Sequence, residues 1–116
     1  MWEVITTECF DIWFEQQSER LQERMLAGMH LLFEDGPNLS RPHVDTLENS
    51  HYLNMKELRV QHEGHPIRAF FAFDPKRCAI MLCAGDKTGK KEKQFYKDMV
   101  RTADTEFEKH LNNLEQ

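Results

Sequence analysis

The chain has 116 residues, enough for one domain with a real core and too few for two of ordinary size. No apolar run approaches the roughly 20 residues that span a bilayer, which excludes a helical membrane protein. Three cysteines, Cys9, Cys78 and Cys83, form no CxxC pair, which argues against a disulfide framework and fits a reducing cytoplasm. The opening MWEVITTECF lacks the basic region and apolar block of an export signal, so a cytoplasmic protein is expected. The net charge of −5 is unevenly spread: residues 1–50 carry 3 basic and 10 acidic side chains, residues 51–101 carry 11 and 6, and residues 102–116 carry 1 and 4. A basic segment between two acidic ones suits a local polyanion site better than the total charge suggests.

In chain order, alternation through Trp2, Val4 and Thr6 predicts a strand over residues 2–6. Thr6 or Thr7 caps a short helix whose buried stripe is Phe10, Trp13 and Phe14, with Glu8 and Asp11 favoured in its first turn. Ser18 caps a second helix with Leu21, Met25, Gly28, Met29 and Leu32 at helical spacing, stopped by Gly36-Pro37. The two helices form a hairpin over one face of a sheet, and their methionines belong to the core. Residues 36–50 read as one long loop, with Arg41 and His43 in it.

Lys56 to Lys87 then reads as a three-stranded antiparallel meander. Leu58 and Val60 alternate with Glu57, Arg59 and Gln61; Ile67, Ala69, Phe71 and Phe73 alternate with Arg68, Phe70 and Ala72. Cys78 to Ala84 is continuously apolar, as for a central strand covered on both faces. A Gly-containing connection over residues 62–66 joins the first two strands, and Asp74-Pro75-Lys76-Arg77 has the residue order of a type I turn that pairs Phe73 with Cys78. With the apolar residues turned to one side, parity sets Arg59, Arg68 and Lys87 on the other, along with Cys83 and Gly85. Like charges across strands cost roughly 0.2–1 kcal/mol per pair, which invites an anionic ligand. The plainer alternative is that each cation meets a nearby Glu or Asp. After a basic loop with Lys90, Lys91 and Lys93, the four-residue recurrence of Phe95, Met99, Ala103, Phe107 and Leu111 predicts a final helix ending near Asn112, with Tyr96 near its start.

Several chemistries fit poorly. His62, His65, Cys78 and Cys83 match no zinc spacing, so no metal and no cofactor are expected. No cysteine sits in an electropositive turn suited to nucleophilic catalysis. The GDKTGKK loop lacks the spacing of a nucleotide-binding P-loop. What remains is a face of Arg59, Arg68 and Lys87, with Lys56, Lys90, Lys91, Lys93 and Tyr96 near its rim. Such a set suits RNA cleavage by attack of the 2′-hydroxyl on its own phosphate, where cations stabilise the developing charge.

The order strand, helix hairpin, meander, helix resembles the RelE/ParE toxin superfamily. The segments NMKELRVQHEGHPIRAFFAFDP and LCAGDKTGKKEKQFY resemble its phage-derived HigB-like branch, over essentially the whole chain. The resemblance implies one RelE-like domain over residues 1–116: α+β, a helical hairpin on a mainly antiparallel four-stranded sheet with a C-terminal helix. It implies a toxin of a type II toxin–antitoxin pair, acting as a ribosome-dependent mRNA endonuclease. Arg68 then matches the central catalytic arginine, with Arg59, Lys87 and Tyr96 as further catalytic residues. Lys56, Lys90, Lys91 and Lys93 are the expected RNA-binding residues, Lys56 being the weaker match. The implied partners are a helix-turn-helix antitoxin and message on the ribosome, with operator DNA reached only through the antitoxin and no membrane. The acidic net charge and long final helix depart from the compact ribonucleases, and the longer helix resembles the ParE side, which inhibits DNA gyrase without cutting RNA; the Arg59, Arg68, Lys87 and Tyr96 set favours the ribonuclease.

Overall fold

A computed structural model describes residues 1–115. The elements are β1 (Glu3–Thr6), α1 (Glu8–Glu15), α2 (Glu19–Asp35), β2 (Val44–Thr46), β3 (Lys56–His62), β4 (His65–Phe73), β5 (Cys78–Asp86) and α3 (Glu92–Leu114), with a 3-10 turn at Gly36–Asn38. The fold is α+β, and the sheet has five strands in the order β1-β5-β4-β3-β2. The expected four strands omit β2, three residues inside the presumed loop, antiparallel to β3. Only the β1–β5 pairing is parallel. That arrangement follows from the chain's path, since the helical hairpin carries it from β1 back over the sheet before β5 is laid down. Among the described residues, no helix is long and apolar enough to cross a membrane.

Local signals explain most boundaries. Thr7 is the N-cap of α1, its Oγ1 accepting from the Phe10 N–H at 3.1 Å. Ser18 caps α2 in the same way through Leu21 N–H. Gly36 ends α2 with φ +54°, and a Cβ there would lie 2.3 Å from the Trp2 ring, so the position tolerates only glycine on both counts. The β3–β4 connection is tighter than expected: His62 pairs with His65, and Glu63 and Gly64 both have positive φ, as a two-residue hairpin loop with the twist of the strands requires.

The β4–β5 register corrects one expectation and preserves its consequence. Asp74 to Arg77 does close a turn, with Arg77 N–H donating to the Asp74 carbonyl at 3.2 Å. Arg77 then adopts φ +64°, the extra left-handed residue that follows a type I turn in a three-residue loop. Phe73 therefore pairs with Ala79, not with Cys78. A bulge between Phe70 and Phe71 inserts one more residue on β5, so Phe71 faces Met81 while Phe70 faces Cys83. The two shifts cancel in parity. Gly85 lands opposite Arg68, and Cys83 and Gly85 return to the arginine face.

Two cores result. On one face α1 and α2 pack Phe10, Leu21, Met25 and Leu32 against Leu58, Val60, Ile67 and Phe71. On the other, α3 packs Phe95, Val100, Ala103 and Phe107 against Phe70, Ile80 and Leu82. At the near end of that second layer, a Cβ on Gly85 would meet Phe95 at 3.3 Å and Met99 at 3.4 Å. The glycine lets α3 lie close on β5, which sets how near Tyr96 comes to the arginines.

Candidate active site

Arg59 and Arg68 are direct cross-strand partners, as parity requires. Their charges converge on Glu57, which precedes Arg59 by two residues and so shares its face. Glu57 is buried, with its side chain 3% exposed. Its Oε2 accepts from Arg59 Nε at 3.2 Å, and its Oε1 accepts from the Tyr96 hydroxyl at 2.6 Å. Arg68 Nε lies 3.6 Å from the same Oε1, near enough for charge attraction and too far for a hydrogen bond. That buried Nε–H has no hydrogen-bond partner among the described residues, although Arg68 Nη1 donates to the Ile67 carbonyl at 3.1 Å. The Arg68 side chain is 11% exposed against 35% for Arg59, whose Nη2 also reaches Asp45 at 3.3 Å. The plainer alternative, a carboxylate for each cation, thus describes the resting state of Arg59 well and of Arg68 only in part.

Tyr96 comes from the first turns of α3 and closes the cluster. Burial, reinforced by its hydrogen bond to the Glu57 carboxylate, pushes its hydroxyl up to about 12. The phenol is therefore a donor at neutral pH and a base only if its own proton has somewhere to go. Lys87 lies over the ring, its Nζ 5.4 Å from the centroid, and donates to Glu92 Oε1 at 2.8 Å. That hydrogen bond holds the Glu92 carboxyl below its ordinary range.

The four residues expected to be catalytic therefore share one locality, and the four expected RNA-binding lysines do not. Lys56 falls on the opposite strand parity from Arg59, and its Nζ donates to Thr46 Oγ1 at the sheet edge. Lys90 and Lys91 border a shallow hollow with Gln94, Phe95, Asp98 and Met99. Lys93 lies on the other flank of α3, lining an open groove of about 1210 Å³. Arg59, Glu57 and Tyr96 form one part of that groove's wall, and residues 45–52 face α3 across it. Arg41 pairs with Asp45 at 2.9 Å. Three residues escaped the sequence reading. Alternation alone marks Glu57 only as a polar strand position. Lys97 and Arg101 continue Lys93 at four-residue intervals, a signal that is present in the sequence.

The chain belongs to the family of Gp49-like phage-derived proteins (DUF891), whose model matches residues 12–108. It is 40% identical over 109 residues to HigB2 of Mycobacterium tuberculosis strain ATCC 25618 / H37Rv, a match covering 93% of this chain and 54% of that protein. It is also 40% identical over 99 residues to HigB3 of the same strain, covering 85% of this chain and 84% of that protein. Both relatives are named as candidate toxins. The chain spans about half the length of HigB2. No solved structure gives a significant match.

Proposed function

We propose that the protein is the toxin of a type II toxin–antitoxin pair and cuts message held in the ribosomal A site. Its cellular place is the cytoplasm and its partner a helix-turn-helix antitoxin, through which alone it meets operator DNA. The observation that carries the reading is the Arg59–Arg68 cross-strand pair. Two guanidiniums set together on a sheet, one with an unused donor, are a poor choice for stability alone and a good one for a phosphate. In the proposed reaction the 2′-hydroxyl attacks its own phosphorus, and the bond to the 5′ oxygen breaks. Arg59 and Arg68 stabilise the charge that builds on the phosphate oxygens, and Lys87 adds a third positive charge beside Tyr96. The 2′-hydroxyl proton passes to Tyr96 as the Tyr96 proton passes to Glu57; a phenol held near 12 becomes a usable acceptor only through such a relay. A solvent water supplies the proton that the 5′ oxygen takes up. This proton path is unlike a histidine couple, so holding the substrate in a reactive geometry matters, and the ribosome can supply that positioning, worth roughly 7–11 kcal/mol in favourable cases.

The alternative is an inhibitor of DNA gyrase that acts by protein contact. A specific observation favours it: the 23-residue α3 lies over the cationic face and leaves Arg68 little exposed. Induction in a bacterial host separates the two. The parent should halt incorporation of labelled amino acids and growth, and Arg68→Ala, at equal expression, should do neither. Arrest by Arg68→Ala at the parent's level would remove the proposed site.

A further inference from the structure

The groove beside the arginine cluster is lined by six carboxylates and four cations, an unpromising balance for RNA until the partners are followed. Asp45 is engaged by Arg41 and Arg59, and Glu57 by Arg59 and Tyr96. Glu92 is engaged by Lys87. Asp104 accepts from the Ser50 hydroxyl and, at 3.0 Å, from the His51 N–H. Asp104 thus has hydrogen bonds but no cation, and Glu48 and Glu108 have no side-chain partner among the described residues. Among the cations the position is reversed. Arg59 is paired, whereas Lys93, Lys97 and Arg101 make no side-chain hydrogen bond or ion pair among the described residues.

These three cations stand at i, i+4 and i+8 on α3, so they form one stripe with a step of about 6 Å along the helix axis. The stripe runs away from Tyr96 toward Tyr52, which also lines the groove and stacks edge-on against Phe107 with centroids 4.9 Å apart. Asp104 secures the loop that carries Tyr52. Glu108 lies one turn of α3 beyond Asp104 and marks the end of the positive stretch.

We propose that Lys93, Lys97 and Arg101 are a rail for the phosphates of the RNA strand flanking the cut, with Tyr52 offering a face on which a base stacks. The proposal rests on the RNA-cleaving reading of the adjacent arginines and names residues that bind substrate without reacting with it. It also removes Lys90 and Lys91 from the RNA path, because they lie on the opposite flank of the helix. The strand enters beside Tyr96, where Arg59 and Arg68 wait, and leaves past Tyr52 before Glu48 and Glu108 turn it away.

The test is fluorescence anisotropy with a labelled single-stranded oligoribonucleotide. A 2′-deoxy substitution at each sugar blocks cleavage, and the salt concentration is stepped upward from low ionic strength. Each lost phosphate contact on a single strand lowers the slope of log K against log salt by roughly 0.7, so the triple variant Lys93→Ala/Lys97→Ala/Arg101→Ala should lose about 2 in slope. Lys90→Ala/Lys91→Ala should match the parent in both slope and affinity. Tyr52→Leu should weaken binding about fivefold or more with little change of slope, since stacking is insensitive to salt. Circular dichroism on each variant checks folding. An unchanged slope in the folded triple variant overturns the rail, and so does a loss confined to the Lys90/Lys91 variant. A triple variant that keeps RNA but loses the neighbouring gene's protein overturns it too, and reassigns the groove to a protein partner. Cleavage on programmed ribosomes is scored separately: a parent that binds through the rail and never cuts removes the nuclease reading and leaves the rail standing as a nucleic-acid site.

Discussion

The two faces of the sheet are held by different physics. The face under α1 and α2 is dry: Phe10, Met25, Leu32, Leu58 and Phe71 are all essentially buried, and no charged group lies among them. The face under α3 has an apolar centre, but all three buried acidic residues of the described chain make contacts with that helix or belong to it. Glu57 accepts from Tyr96, Asp104 of α3 holds the loop at Ser50 and His51, and Asp74 meets His110 at 2.8 Å. Apolar burial is non-directional and tolerates small shifts, whereas a buried carboxylate is stable only while its particular donors stay in place. The first face therefore makes the domain stable. The second fixes where one helix lies over a cationic surface, and the function is proposed there.

That contrast can be broken from either side. The largest effect should come from the dry face. Phe71→Ala is expected to cost about 3–5 kcal/mol, because the cavity it leaves lies among the apolar side chains of that core, read as a fall in urea midpoint at unchanged m. Glu57→Gln should cost about 3 kcal/mol, because it leaves the nearly buried Arg68 without a counter-charge, opposite an Arg59 that keeps only Asp45. It should also abolish cleavage by a folded protein, which Phe71→Ala at low temperature should not. If Glu57→Gln melts with the parent, the carboxylate is not the hub of the second face.

Smaller effects distinguish the latches along α3. Asp104→Ala should cost about 1–3 kcal/mol through the unsatisfied His51 N–H and Ser50 hydroxyl, with faster hydrogen exchange confined to residues 49–52. Asp74→Asn should cost about 1 kcal/mol near neutral pH. Burial alone would raise the Asp74 carboxyl, but hydrogen bonds from His110 and from the N–H groups of Cys78 and Lys76 outweigh it and hold it below the ordinary carboxylate range. A carboxyl depressed by folding adds stability that is present above its unfolded value, near 3.9, and is lost as pH falls through the folded one. The difference between parent and Asp74→Asn in thermal midpoint should therefore be full at pH 6 and shrink below about pH 4. A gap that is constant through the acid range would show that the Asp74–His110 contact carries no linked stability.

Much of this layout was legible in the chain because period and parity survive local error. The three main strands, both helical stripes and the shared arginine face follow from alternation and four-residue spacing in Leu58–Val60, Ile67–Phe73 and Phe95–Leu111. The misplaced Phe73–Cys78 pair did no harm, because the bulge at Phe70/Phe71 adds a second one-residue shift that restores the parity. That bulge was hidden for a physical reason: in an apolar run buried on both faces, every register looks alike. β2 was hidden because three residues give no period, and the Glu63-Gly64 turn because glutamate seldom takes positive φ. The site was half legible. Cations announce themselves by sequence, but Glu57 becomes a hub only through tertiary contacts such as that with Tyr96, 39 residues away. Lys97 and Arg101 were missed because a charged helix flank ordinarily faces only water.

The central claim is that the arginine pair beneath α3 cuts ribosome-held message. It is tested most directly by primer extension on message in programmed ribosomes, with parent, Arg68→Ala and Arg59→Ala, beside the same message without ribosomes. The account predicts cuts at the A-site codon with the parent, a loss of roughly 10²–10³ in rate for each variant, comparable to removing one transition-state donor, and largely intact message without ribosomes. Equal cutting by Arg68→Ala, or efficient cutting of the free message, would contradict it.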